Sequence, residues 1–165
     1  MKQSEIKLLH NGLIKCHITE VKDMMPEIVS IIDECVLPHP DYYVDAKVHM
    51  LMPNQYPCIP NWHRDAVPRD EDNKFIEDAK DINQKMYLWI SGTPITEFVG
   101  DIELKPKEWL EFTQTDVHRG TVSTKHQWRL FIRLTPASLV SRPNTGKDAL
   151  RRHSQVYLDS SNFTW

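Results

Sequence analysis

The chain has 165 residues, a length that suits one domain around one core. Hydrophobic residues make up 40% and charged residues 26%, ordinary values for a globular protein, and no apolar run approaches the roughly 18 residues that cross a bilayer. The formal net charge of −3 gives no global attraction for nucleic acid, and the three cysteines, Cys16, Cys35 and Cys58, are odd in number and too far apart for a Cys-x-x-Cys site or a disulfide framework. The first residues, Met1 to Glu5, run into mixed polar sequence without the apolar region of a signal peptide, so the expected compartment is the cytoplasm.

Residues 5–18 contain Leu8-Leu9-His10-Asn11-Gly12-Leu13-Ile14, where Asn-Gly between apolar pairs predicts a hairpin. Residues 25–36 place Ile28, Val29, Ile31, Ile32, Cys35 and Val36 at helical spacing. Pro26 stands in the first turn of that amphipathic helix, and Pro38 and Pro40 lie beyond its end. Most of the chain beyond Pro40 reads as strands. Ala46, Val48, Met50 and Met52 alternate with Asp45, Lys47, His49 and Leu51, a period of two that Pro53 and Pro57 then interrupt. Residues 60–67 form a short extended segment. Residues 69–85 read as a long charged surface loop with room for one helical turn, built around Phe75 and Ile76. Met86 to Ile90 is a strand ended by Ser91-Gly92-Thr93-Pro94. Short strands are expected near 95–99, 101–104 and 108–113, and a long one over 127–135. The remainder is polar, with one helix around 146–153 and a basic cluster of Arg142, Lys147, Arg151 and Arg152. A solvated face is the simplest account of that cluster, and it leaves nucleic acid open as a partner. A helix or two followed by many short strands predicts a mainly β protein with helical additions, a sandwich or jelly roll. The expected plan is one domain, 1–165, with a hairpin and helix in 1–41, a β core in 42–136 and a tail in 137–165.

Three metal-ligand-type side chains stand out on this plan: His63 and Asp65 in Asn61-Trp62-His63-Arg64-Asp65, and His118 in Val117-His118-Arg119-Gly120. Two histidines and one carboxylate with open positions are the ligand set of a non-haem Fe(II) oxygenase. With eight histidines and 23 acidic residues, about one His-x-acid match arises by composition alone, and the chain has two. The first, His39-Pro40-Asp41, sits between prolines and reads as a loop. In the second, residues i and i+2 of an extended segment point to the same side, so His63 and Asp65 can reach one metal while Arg64 points away. His118 supplies a third ligand from the end of a distant strand. On the strand Gln127 to Leu134, Trp128, Leu130, Ile132 and Leu134 share one face and Arg129, Phe131 and Arg133 the other. Either those arginines are solvated, or the strand has two covered faces and they line a polar cavity able to hold a dicarboxylate.

In these residues the chain resembles the Fe(II)/2-oxoglutarate-dependent dioxygenase superfamily, in a minimal form of its phytanoyl-CoA hydroxylase-like branch. The family pattern of His-x-Asp, a distal His and a following Arg falls on His63, Asp65, His118 and Arg129, and the resemblance covers about 42–136. It implies a double-stranded β-helix of the cupin-like jelly-roll kind, with Fe(II) on His63, Asp65 and His118. It further implies 2-oxoglutarate as cosubstrate with its distal carboxylate on Arg129, and O2 consumed with release of succinate and CO2 as the substrate is hydroxylated or oxidatively demethylated. Halogenating members lack the carboxylate ligand, so Asp65 favours hydroxylation or demethylation. Where many members carry Arg-x-Ser, this chain has Phe131, and Tyr87 is the candidate for the missing hydroxyl; Arg133 is an alternative or additional cation for the cosubstrate. The substrate remains open among a small molecule, an amino-acid side chain and a nucleobase. Two other readings stand beside this one: a cupin-like metalloenzyme that does not use 2-oxoglutarate, and a non-catalytic β-sandwich binding module.

Overall fold

The structure, a computed structural model, describes residues 1–72, 74–76, 82–152 and 156–158. Six strands, β1 (Gly12–His17), β2 (Tyr42–Leu51), β3 (Met86–Ile90), β5 (Leu110–Phe112), β7 (Gln127–Pro136) and β8 (Leu150–Arg151), make one antiparallel sheet in the order β5-β3-β7-β2-β1-β8. A second, smaller sheet pairs β4 (Thr96–Phe98) with β6 (His118–Gly120). The helices are short: α1 (Gln3–Ile6), α2 (Val21–Met24) and α3 (Val29–Asp33).

The centre of the large sheet is the β2–β7 pair, in unbroken register from Tyr42 opposite Pro136 to Leu51 opposite Gln127. Because side chains alternate along a strand, the pairing sorts residues by face. Val44, Ala46, Leu130, Ile132 and Leu134 turn toward the helices, where they join Tyr87, Trp89, Ile28, Ile31 and Ile32 in the larger core. Each buried valine, leucine or isoleucine among them stabilises the fold by about 1.5–3 kcal/mol relative to exposure. On the other face Asp45, Lys47 and His49 lie opposite Arg133, Phe131 and Arg129. That polar row is covered: Arg129 and His49 are each 1% exposed. The cover comes from the small sheet, whose Phe98 packs with Met86, Leu88, Ile90, Leu104 and Phe112 in a second core. The large sheet is therefore buried on both faces, and its second face is where polar side chains collect.

Several sequence expectations change. Asn11-Gly12 is not a hairpin turn: α1 precedes it and Gly12 opens β1, which crosses to pair with β2. A Cβ on Gly12 would sit 2.2 Å from the carbonyl oxygen of Ala46, so the glycine is there for close strand approach. The helix expected over 25–36 is a 3-10 turn at Pro26–Ile28 running into α3, and it ends at Asp33. Pro26 does occupy the first helical turn, and Ile28, Ile31 and Ile32 are buried as their spacing implied. No strand forms at 101–104, where Leu104 instead plugs the second core. The helix expected around 146–153 is a 3-10 turn, Gly146–Ala149, followed by β8, because pairing with β1 captures Leu150 and Arg151; position 153 lies outside the described residues. In the 69–85 loop, Arg69 and Phe75 form an isolated antiparallel bridge closed by hydrogen bonds between Asp70 and Lys74. No helical turn appears among its described residues, and positions 73 and 77–81 lie outside them. The strands make two sheets, of six and two strands, with no closed barrel or complete jelly roll among the described residues. Among the described residues no helix is long and apolar enough to cross a membrane.

The tight β1–β2 approach gives a stability prediction. Gly12→Ala should destabilise the protein by roughly 1–3 kcal/mol, the usual cost of forcing a methyl group into a packed site. Urea denaturation would read this as a lower midpoint, and an unchanged midpoint would show that β1 can move away from β2 freely.

Candidate metal centre

His118 begins β6, and the extended segment around His63 runs antiparallel beside it. The two residues exchange both backbone hydrogen bonds, N to O at 2.9 Å each way. Residues facing each other in this way present their side chains side by side, and the imidazole centroids are 4.5 Å apart. Asp65, two positions after His63, shares its side of the segment. His63 Nε2 lies 3.8 Å from Asp65 Oδ1, and His118 Nε2 lies 3.5 Å from Asp65 Oδ2. The ligand-type atoms of all three are within 4.8 Å of one another, the one such trio among the described residues. His39, by contrast, stacks on Tyr42 at 4.7 Å, in agreement with its reading as a loop residue.

The tautomers fit a metal. His63 Nδ1 is 2.8 Å from the carbonyl oxygen of Asn61, and His118 Nδ1 is 3.2 Å from that of Asp116. A carbonyl can only accept, so each Nδ1 carries a proton and Nε2 is the atom left to ligate a metal, which is how supporting hydrogen bonds prepare histidine ligands. Burial pushes the His63 pKa down, favouring its neutral form. Burial also pushes Asp65 up, but the Arg133 guanidinium outweighs it and holds the carboxyl well below the usual range. Ligands at right angles on a metal with bonds of ~2.1 Å lie roughly 3 Å apart, so small side-chain shifts close the site. Two imidazoles and a carboxylate on one side suit a first-row divalent ion with positions left open. The rings of Phe98 and Phe112 pack 5.0 and 5.8 Å from His118 and fix its plane.

The trio lines a cavity of about 120 Å³ between the sheets, together with Lys47, Cys58, Thr96, Arg129 and Arg133. The two arginines differ in their partners. Arg133 has both arms committed to carboxylates, Nη1 to Asp65 Oδ2 at 2.6 Å and Nη2 to Asp45 Oδ2 at 2.8 Å. It supports the carboxylate of the candidate trio, and two acids match its charge, although its Nε, like that of Arg129, has no hydrogen-bond partner. Arg129 is fully buried, with Nη2 3.4 Å from Thr96 Oγ1 and with Nε lacking any hydrogen-bond partner. Among the described residues no carboxylate lies within ion-pair distance of it. Burial lowers its pKa to about 10, so it stays cationic at neutral pH. A buried guanidinium without a counter-ion is costly, and an anionic ligand would relieve that cost.

Tyr87 is not part of this cavity. It belongs to the opposite face of β3, in the larger core against Tyr42, and its hydroxyl donates to Glu111 Oε2 at 3.2 Å. Alternation along the strand sends Leu88 to the cavity instead. Sequence reasoning missed Asp45, Lys47, Thr96 and Cys58. The polar period-two run Asp45-x-Lys47-x-His49 was visible, but an antiparallel strand commonly turns such a row to water, and only the covering small sheet makes it a cavity wall. Cys58 sits where β6 is closest: a Cβ on Gly120 would fall 2.6 Å from the Cys58 carbonyl oxygen.

One metal ion should bind per chain, and calorimetric titration with Zn(II), or with Fe(II) under anaerobic conditions, would measure it. His63→Ala and His118→Ala should each abolish binding, and His39→Ala should leave it unchanged. Arg133→Met should weaken binding by about 10–100-fold, the usual effect of losing a group that orients a ligand. Full affinity in Arg133→Met would show that Asp65 holds its geometry without help.

No protein-family model, no curated protein and no solved structure matches this chain, so its functional reading stands on the geometry of the site itself.

Proposed function

We propose that the chain is an Fe(II)- and 2-oxoglutarate-dependent oxygenase that hydroxylates or oxidatively demethylates its substrate. The observation that carries this reading is the presence, in one cavity, of a convergent His63/Asp65/His118 trio and a buried Arg129 with no acidic partner among the described residues. Bound iron with 2-oxoglutarate and O2 supplies the oxidising chemistry, one oxygen atom going to the substrate carbon and the other to succinate as CO2 leaves. The chain's own residues do the holding and shielding. His63 and His118 offer Nε2 and Asp65 its carboxylate. Arg133, anchored by Asp45, keeps Asp65 oriented. Arg129 and Thr96 receive the distal carboxylate of 2-oxoglutarate, a charge-assisted contact that gains strength from burial. Phe131 occupies the position where many members of the resembled family have serine, so Thr96 is the better candidate for the hydroxyl contact. Leu88, Phe112 and Phe131 line the cavity and limit water around the reacting centre. The two sheets facing each other across the cavity fit an abbreviated double-stranded β-helix.

This reading is tested by succinate formation in protein reconstituted with Fe(II), and by direct binding of 2-oxoglutarate to the metal-loaded protein. Arg129→Met should leave metal affinity intact and weaken 2-oxoglutarate by roughly 30-fold or more, since truncating one side of a buried charged pair costs about 2–5 kcal/mol. Metal binding with no affinity for 2-oxoglutarate would replace this reading with a cupin-like metalloenzyme of another reaction. Absence of any metal binding would leave a non-catalytic β-sandwich module.

A further inference from the structure

The cavity holds a second cation that the proposed chemistry does not use. Lys47 lines it from β2, and its Nζ lies 5.3 Å from the centroid of the Phe131 ring. Among the described residues no carboxylate is within ion-pair distance of it. The nearest candidate by position, Asp45, is two residues away on the same face. Asp45 is already engaged by Arg133 at 2.8 Å and by the Lys15 backbone N–H at 3.1 Å. Lys47 is therefore a partly buried ammonium whose nearest acid is engaged by another residue.

Its surroundings add positive charge. Arg133 is on the neighbouring strand, and Arg151 of β8 stands opposite Gly12 of β1. Gly12 has no side chain to fill the sheet face between them, and its ideal Cβ would fall 3.5 Å from Lys47 Cα. Burial first, then Arg133 and Arg151, push the Lys47 pKa down. Arg129 differs in having Thr96 as a hydrogen-bond partner, at 3.4 Å. Both cations lie against the Phe131 ring, at 5.3 and 5.5 Å, and near the Cys58 thiol, so the cavity holds two neighbouring cationic positions, of which Arg129 alone is hydrogen-bonded to Thr96. A partly buried ammonium with no ion pair, set among guanidinium groups, is stabilised when an anion joins it, and lysine's stem lets it reach a carboxylate or phosphate as a point charge.

Resting on the oxygenase reading, in which Arg129 serves the cosubstrate, we propose that Lys47 anchors an acidic group of the primary substrate. The substrate class is then a small carboxylate- or phosphate-bearing molecule, with its anion held at Lys47 and its reacting carbon directed toward the His63/Asp65/His118 centre. The small size of the cavity, about 120 Å³, admits such a molecule or its tip, whereas drug-sized ligands occupy pockets of ~300 Å³ or more. Tyr157 completes the wall, its backbone held to Tyr56 by hydrogen bonds of 2.8 and 2.9 Å.

The test uses zinc-loaded full-length protein, with and without saturating 2-oxoglutarate, titrated by NMR with butyrate, methyl phosphate and neutral butyramide. Butyrate or methyl phosphate should bind while 2-oxoglutarate remains bound, and butyramide should bind at least tenfold more weakly. The stronger of the two anions identifies the acid as carboxylate or phosphate. Lys47→Met should lose at least tenfold of the anion affinity, and Lys47→Arg should keep most of it, with metal affinity unchanged in both. Three results would overturn the proposal: no anion binding to the wild type, equal binding of butyramide, or a Lys47→Met protein that loses 2-oxoglutarate but keeps butyrate. The last would assign Lys47 to the cosubstrate. If 2-oxoglutarate fails to bind at all but Lys47-dependent anion binding persists, the oxygenase reading falls and the anion site stands.

Discussion

Arg133 is bonded to two carboxylates that belong to different parts of the molecule, and much of the structure depends on that arrangement. Asp45 lies across from it on the neighbouring strand of the large sheet, and Asp65 lies on the segment that flanks the small sheet. The guanidinium is planar and offers its donors in a fixed fork, so the two contacts set the angle and separation of the two carboxylates together. A lysine would supply the charge without that geometry. Removing Arg133 would leave Asp45 and Asp65 without their shared cation in a poorly solvated place, which costs more than the contacts themselves contribute. Through this link the large sheet holds the carboxylate that the two histidines share.

The histidines are held differently, by main chain. His63 and His118 exchange both backbone hydrogen bonds, and each ring is locked by a carbonyl two residues before it. This gives the centre two independent supports, a backbone ladder for the imidazoles and an ion-pair network for the carboxylate. His63 and Asp65 stand on an irregular segment, an isolated bridge followed by a bend, so these two supports rather than a regular strand set their geometry. The close approach that allows the ladder's surroundings to pack depends on Gly120, beside which the Cys58 backbone lies where a side chain would otherwise be.

Charge explains why the interior face of the large sheet can be polar at all. Asp45 and Asp65 answer Arg133, whereas Arg129 and Lys47 have no acid of their own among the described residues. Left alone, such a face would be a liability, because buried polar groups need partners. A divalent ion on the trio would add more positive charge, and a cavity of that character favours anionic ligands. The same face carries Phe131, Leu88 and Phe112, so the cations sit among apolar walls that strengthen whatever electrostatic contact they make.

Sequence alone determined the class of the fold, the long central strands and the identity of the three side chains that converge. Period-two alternation is a local property of the backbone, so Tyr42–Leu51 and Gln127–Pro136 were legible from their side-chain pattern, and so was the shared side of His63 and Asp65. Tertiary structure decided matters of pairing and facing. Asn11-Gly12 reads as a turn until β2 lies against it, and Leu150 and Arg151 read as helical until β1 captures them. Tyr87 is on a clear strand, but which of its faces meets the cavity depends on the register with β7, and that register sends Tyr87 to the other core. The same holds for the two arginines. They are identical in kind and share a face, and only the position of Asp45 and Asp65 in space commits one to carboxylates and leaves the other without an acid. Local chemistry fixes which residues can act, and long-range strand pairing, which no short window of sequence contains, fixes which of them meet.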